Sequence, residues 1–398
     1  MAHISFEESI NILNSVLPKS KGSERVFLEN ALNRVLAEDV VSKYDNPYKE
    51  TASMDGYAIR FEDQDKEIKL IGKNPAGNFK FTKINECEAI KTYTGSFMPE
   101  NADTLVPIEN VEIKGNKLIV KEKVPKYHAV RPIGEDFKKG EVLIKKGTVL
   151  KAGEIGVLAS LGIPVVSVVK KPVVSVLATG EEIVDLDSDF EMGQIRSSNN
   201  YTLTALARSF GFEAINLGIV GDNKKSIKEK IIDALKTSDV VVTTGGVSVG
   251  DFDFVKEITG EFEVLFHGVN IKPGQWVMLA KAKEKYIISL PGFPYSSFVT
   301  FLLYVVPILE SLEGKKVIKK IKAKLRDDFE KKFKKYQFVA VNIDFEGEFV
   351  VDVRGKKQGS SGILTNLIGN KALMCLKEGL YKLKAGEMID VLVYDRVI

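Results

Sequence analysis

The chain has 398 residues, 44% of them apolar and 28% charged, with Lys+Arg 57 against Asp+Glu 54 for a formal charge of +3. Chains of this length seldom build one core, and roughly 100–200 residues per domain gives two to four domains. The composition excludes a mainly disordered chain, and so even a charge balance leaves no electrostatic footprint for nucleic acid.

Two cysteines, Cys87 and Cys375, exclude a disulfide framework or a cysteine-rich zinc site. His3, His128 and His267 are too few for a histidine zinc site, so any metal is expected to be a hard ion held by oxygen. Glu7 and Glu8 stand where a signal peptide carries positive charge, and the most apolar run, 298–309, is shorter than the roughly 20 residues of a spanning helix. A cytoplasmic protein with no membrane partner is the expectation.

In chain order, Phe6, Ile10, Leu13 and Leu17 recur at helical spacing, Ser5 and Glu8 fit a capping box, and Pro18 closes the helix. Leu28, Leu32, Val35 and Leu36 continue the periodicity and predict a second helix. From Asn46 the texture changes to short runs (68–71, 79–81, 89–93, 104–108) divided by turn residues. Gly115-Asn116 between two alternating runs predicts a β-hairpin. Residues 46–140 are read as a small β domain, and 141–170 as rejoining 1–45 in a helical, mixed linker domain that makes the β domain an insertion.

Beyond Lys170-Lys171-Pro172, strand and helix alternate. Runs 173–178 and 240–244 are near-continuously apolar, as strands buried on both faces are, and 215–220 and 286–290 add two more. Helices are predicted at 201–210, 224–236, 252–258 and 295–310. This order predicts a parallel three-layer α/β/α domain over 171–314. Past Gly314 and its lysine cluster, residues 315–398 alternate as an all-β domain.

Ligands of an open parallel sheet bind beyond the carboxyl ends of its strands. Three glycine-bearing loops fall there: Thr179-Gly180-Glu181-Glu182, Gly245-Gly246-Val247-Ser248-Val249-Gly250-Asp251 and Pro291-Gly292-Phe293-Pro294. Free N–H groups ahead of a helix favour an anion, most often phosphate, while glycines that merely permit tight turns remain the alternative for each loop. The second loop lacks the Gly-Lys-Ser/Thr ending of a Walker motif. Glu182, Asp222 and Asp253 at the same edge would repel a phosphate unless a cation lay between, and Mg²⁺ binds carboxylates together with phosphate oxygens. Singly, each also suits a helix cap or first turn. Lys272 and Lys256 are candidate phosphate partners. Segments around Asp55, Thr94 and Asp136 read, on pattern alone, as turns.

In order along the chain, Ser53-Met54-Asp55-Gly56-Tyr57-Ala58, Thr94-Gly95 with Pro99 and Ala102-Asp103, Gly134-Glu135-Asp136, Thr179 to Glu182, Gly245 to Asp253, Lys272-Pro273-Gly274 and Gln358 to Gly362 form one set. That set resembles the molybdopterin molybdenumtransferases, the MoeA-type proteins that include the C-terminal domain of gephyrin, over essentially the whole length. The resemblance implies an α/β multidomain chain: an elongated helical/mixed linker domain (1–45 plus 141–170), an inserted β domain (46–140), the α/β/α molybdopterin-binding domain (171–314) and a C-terminal β-barrel-like domain (315–398). It implies a homodimer whose active sites are shared across subunits. The implied reaction is insertion of molybdate into adenylylated molybdopterin, with AMP released and Mg²⁺ required. An upstream molybdopterin adenylyltransferase and downstream molybdoenzymes become expected partners.

Carried over residue by residue, the resemblance assigns Asp55, Thr94, Asp136, Glu182 and Asp253 to catalysis, and Glu182, Asp222 and Asp253 to the metal. Thr179, Gly180, Gly245, Gly246, Ser248, Gly250, Lys272, Pro291, Gly292 and Ser361 are assigned to substrate and phosphate. The chain departs from the family pattern at Gln275, where a second lysine is usual, at Trp276 in place of proline and at Phe293 in place of asparagine. An arginine expected near Ala340 is not evident. Those departures leave a second reading, a delivery module that binds the cofactor or its precursor without inserting metal, and a third, a nucleotidyltransferase or scaffold on the same α/β domain.

Overall fold

The structure is a computed structural model that describes residues 3–77, 82–246 and 262–395. The chain divides into two compact units, 1–37 with 149–151 and 165–398, and 38–148 with 152–164.

In the larger unit a six-stranded sheet runs in the order Glu213–Val220, Val173–Thr179, Val240–Thr244, Lys285–Leu290, Met278–Ala282, Glu263–His267. The first four strands are parallel and the last two antiparallel. The sheet is thus mixed, not wholly parallel as expected. The two missed strands form an edge meander whose hairpin turns at Lys283, at φ 59°, among charges that hide the pattern in sequence. Val174, Val176, Val240 and Val242 face one apolar cluster, and Leu177, Val241 and Ile287 the opposite one. Helices Asn199–Ser209 and Pro294–Glu313 cover the first face. Ile227, Ile231 and Ala234 of Lys224–Thr237 cover the second. This two-sided burial accounts for the uninterrupted valine runs.

Helix Pro294–Glu313 is long and apolar enough to pass for a membrane span, yet 89% of its apolar window is buried inside the protein. It is a core helix that widens into a π turn over Phe301–Val305.

Ser5 caps Phe6–Ser15 by accepting from Glu8 N at 3.0 Å, as predicted. The second predicted helix is absent. Ser23–Phe27 instead pairs antiparallel with Val165–Val169, and a 3₁₀ turn at Leu28–Asn30 leads to Asn33 at φ 64°. That left-handed residue ends helical continuation, and Val35 and Leu36 bury their side chains in bridges to Val149 and Val168.

Five strands of the C-terminal region, Lys319–Leu325, Tyr336–Phe345, Phe349–Asp352, Ala372–Leu376 and Met388–Val393, close into a barrel because Tyr336–Phe345 pairs with both Phe349–Asp352 and Ala372–Leu376. The short strand Ile271–Lys272 adds in parallel to Tyr336–Gln337 and joins the α/β domain to this barrel.

The smaller unit holds a six-stranded sheet in the order Thr104–Pro107, Gly56–Ile59, Glu88–Thr92, Ile68–Asn74, Lys117–Val120, Val111–Lys114. The last two strands are the predicted Gly115-Asn116 hairpin. A Cβ on Gly56 would stand 2.4 Å from Val106 O, so Asp55 is necessarily followed by glycine.

Candidate active site

Parallel register sets the carboxyl ends of the central strands side by side: Thr179 opposite Val220, Ala178 opposite Thr244, and Thr244 opposite Leu290. The glycine loops therefore emerge together. Gly245 N donates to Leu290 O at 3.2 Å, and the Gly245 Cα lies 3.8 Å from where a Cβ on Gly292 would stand. Gly180 at φ 139°, Gly245 at φ 92° and Gly246 at φ 63° adopt left-handed backbone that side chains resist. A Cβ on Gly245 would stand 2.6 Å from Thr179 O, and one on Gly180 2.6 Å from Glu182 Oε2. Thr179 is buried and donates to Thr244 O at 3.4 Å. Asn199, opening its helix, fixes the third loop by donating to Gly292 O at 2.8 Å. Ser297 Oγ donates to Pro291 O and Phe293 O, which holds the turn into Pro294–Glu313.

Among the predicted metal ligands, Glu182 is exposed and Asp222 half-buried. Glu181, which sequence reasoning did not single out, is the residue locked to Asp222. Glu181 N donates to the Asp222 carboxylate at 3.4 Å, and Asp222 N to the Glu181 carboxylate at 3.0 Å. The doubled acid of the loop gives no hint in sequence of which side chain turns toward Asp222. Ser248, Gly250, Asp253 and Lys256, with the predicted 252–258 helix, lie outside the described residues. The hard carboxylate oxygens of Glu182 and Asp222 at this edge are of the kind that suits Mg²⁺. The described residues hold one trio of potential ligands within 4.8 Å of one another, Asp63, Glu86 and Cys87. Lys66 Nζ, 3.0 Å from Asp63 and 2.8 Å from Glu86, already neutralises that trio.

A second set of predicted residues gathers where the barrel meets the α/β domain. A small cleft of about 30 Å³ is lined by Lys272, Tyr295, Phe333, Gln337, Lys357 and the Gln358–Ser361 turn, among others. Tyr295 N donates to Ser361 O at 3.2 Å, so the cleft and the Pro291-Gly292 loop share one turn of chain. Phe293 is 64% exposed and lies along Gly362. Trp276 is held away from this turn, with its ring edge-on to His3 at 4.5 Å and near His267 at 5.9 Å.

In the smaller unit, Asp55 accepts from Thr94 N and Thr94 Oγ1, both at 2.8 Å. The Thr94 N–H, and then its hydroxyl, hold the Asp55 carboxyl below the usual carboxylate range. Asp136 accepts from Asn46 Nδ2 at 2.9 Å. Thr51–Ala52 pairs antiparallel with Val130–Arg131, so the chain leaves toward Asp55 and toward Asp136 from opposite ends of that ladder.

Two family models match the chain: the MoeA N-terminal region (domain I and II) over residues 4–162, and a probable molybdopterin binding domain over 175–311. A molybdopterin molybdenumtransferase of Staphylococcus aureus is 34% identical over 383 residues, covering 93% of this chain and 91% of its own length. The chain belongs to the molybdopterin molybdenumtransferase family. A relative of the same name from Haemophilus influenzae is 35% identical over 76% of both chains. The solved MoeA protein of Pyrococcus horikoshii superposes with a TM-score of 0.82 at 32% identity, covering 99% of this chain and all of its own. As a member of this family the chain is a transferase of molybdenum cofactor biosynthesis that handles molybdopterin.

Proposed function

We propose that this transferase inserts molybdate into adenylylated molybdopterin and releases AMP in a Mg²⁺-dependent reaction. The observation that carries this reading is one sheet edge where three glycine-bearing loops leave side by side at the carboxyl ends of their strands with Glu182 and Asp222, continuous through Pro294 and Tyr295 with a cleft bearing Lys272 and Ser361. Glycine loops that let backbone approach closely ahead of a helix suit the two phosphates that bridge pterin and nucleoside. Glu182, Asp222 and Asp253 would hold Mg²⁺, which supplies neutralising charge to those phosphates. Lys272 and Ser361 would bind molybdate. Thr179, Gly180, Gly245, Gly246, Ser248, Gly250, Pro291 and Gly292 fix where the phosphates lie.

The working form is a cytoplasmic homodimer in which Asp55, Thr94 and Asp136 of one subunit complete the site of the other. An adenylyltransferase supplies the substrate, and molybdoenzymes take up the product. AMP release from adenylylated molybdopterin, measured with Mg²⁺ and molybdate each present or omitted, tests the reading. Release that requires both is expected. Pterin binding without release under any condition would establish the delivery module instead.

A further inference from the structure

Phe293 stands in the third loop where the family pattern carries asparagine, and its side chain is 64% exposed. A single exposed apolar side chain is ordinary on a protein surface. This one is held in a fixed place. Phe293 O accepts from Ser297 N at 2.9 Å and from Ser297 Oγ at 3.2 Å, and Pro294 opens the core helix directly after it. Asn199 anchors the preceding Gly292 O, so the backbone is tied on both sides. The ring reaches the Gln358–Gly362 turn, where a Cβ on Gly362 would stand 3.4 Å from Phe293 Cδ1 and 3.7 Å from Cε1.

Other aromatic rings of the α/β domain already have partners. Phe298 packs on Tyr394, Phe266 on Tyr304 and Phe210 on Phe212, with centroids 5.3, 5.4 and 6.2 Å apart. Phe190, exposed like Phe293, carries the Arg196 guanidinium at 5.4 Å. Among the described residues no ring and no cation lies on Phe293. A fixed aromatic face left bare beside the loops of the sheet edge is a platform for a flat, conjugated ring.

We propose that Phe293 is a specificity-determining residue that stacks on the pterin of the substrate, in place of the polar contact an asparagine would offer. This rests on the molybdate-insertion reading and adds to it which half of the substrate the third loop grips. Adenylylated molybdopterin has two flat groups, pterin and adenine, joined through its phosphates. In that reading molybdate is held by Lys272 and Ser361 and passes to the pterin half. The pterin therefore lies on the barrel side of the phosphates and the adenine on the far side. Phe293 lies against the turn that carries Ser361, so it is the bare ring on the pterin side.

The test is steady-state AMP release by the full-length protein, alongside calorimetric titration with adenylylated molybdopterin (molybdate omitted) and with AMP. Phe293→Ala is expected to raise KM and Kd for adenylylated molybdopterin about 10-fold while kcat stays within about twofold, because a contact made equally in ground and transition states moves KM alone. AMP affinity is expected to stay within about twofold, which assigns the ring to pterin and not to adenine. Phe293→Tyr and Phe293→Trp keep an aromatic face and should bind within about threefold of the parent. Phe293→Asn should bind like the alanine variant, and it carries the same comparison should that variant fail to fold. Substrate affinity unchanged in the folded alanine or asparagine variant overturns the proposal. A loss of AMP affinity equal to the loss for the substrate also overturns it, since adenine would then be the stacked group. A parent that binds the substrate and releases no AMP overturns the insertion reading instead, and the titrations still decide what Phe293 contacts.

Discussion

The carboxyl edge of the central sheet and the cleft against the barrel both suit anions, but they are built differently. At the edge the proposed groups are main-chain ones, and their placement depends on glycines that tolerate no Cβ, as at Gly245 against Thr179 O. In the cleft the proposed groups are side chains on two separate elements, Lys272 of Ile271–Lys272 and Ser361 of the Gln358–Ser361 turn. A backbone site can change only by losing its glycines. A side-chain site can lose a cation at one position without any change in backbone, as Gln275 does where the family pattern carries a lysine. Departures from a family pattern therefore carry different weight in the two places.

The largest expected effect is at the edge. Asp222→Asn or Glu182→Gln should lower AMP release by about a hundredfold or more in a folded protein, the scale of removing a group that stabilises transition-state charge. Undiminished release in both would break the assignment. Gly245→Ala should cost about 1–3 kcal/mol of stability through left-handed strain and contact with Thr179 O, read by denaturant unfolding. An equally stable alanine variant would show that the edge is not backbone-limited.

Asp352, in the barrel that walls the cleft, gives a smaller and pH-dependent effect. Burial pushes its carboxyl up, but the Asn342 amide, the Arg354 N–H and the Arg326 and Arg354 charges outweigh that and hold it below the usual range. A depressed carboxylate pKa contributes stability above the unfolded value of about 3.9, lost as pH falls through the folded value. Asp352→Asn should therefore destabilise by about 1–3 kcal/mol at pH 7, with the gap to the parent closing at the acidic end of a pH series of melts. The smallest effect is expected at Phe293. It is 64% exposed, so Phe293→Ala should change stability by no more than about 0.5 kcal/mol. A larger loss would mean that its contact with Gly362 holds the cleft closed.

Glycine made the edge legible. Left-handed turns after apolar strands leave a local signature, and Gly180 and Gly245 fall where the expected loops put them. The hairpin between Val111–Lys114 and Lys117–Val120 was legible for the same reason. Elements decided by distant partners were not. The apolar spacing of Val35 and Leu36 arises from bridges to Val149 and Val168, not from a helix face. The antiparallel edge strands Glu263–His267 and Met278–Ala282 belong to a sheet whose parallel core set the wrong expectation. Glu181 meets Asp222 through a side-chain direction that spacing does not encode.

The packing of Phe6–Ser15 bears on how the chain is made. Ser9 Oγ lies 2.8 Å from Tyr304 Oη, a partner 295 residues later, and the Phe6 ring packs tilted against Tyr336 and edge-on against Phe338 of the barrel, centroids 4.4 and 5.3 Å away. At roughly 5–20 residues per second of synthesis, the first helix emerges about 15–60 s before the tyrosine it binds. Its apolar face must wait in the open through the production of most of the protein. The nascent chain, more than the finished enzyme, is where assistance from a chaperone would matter.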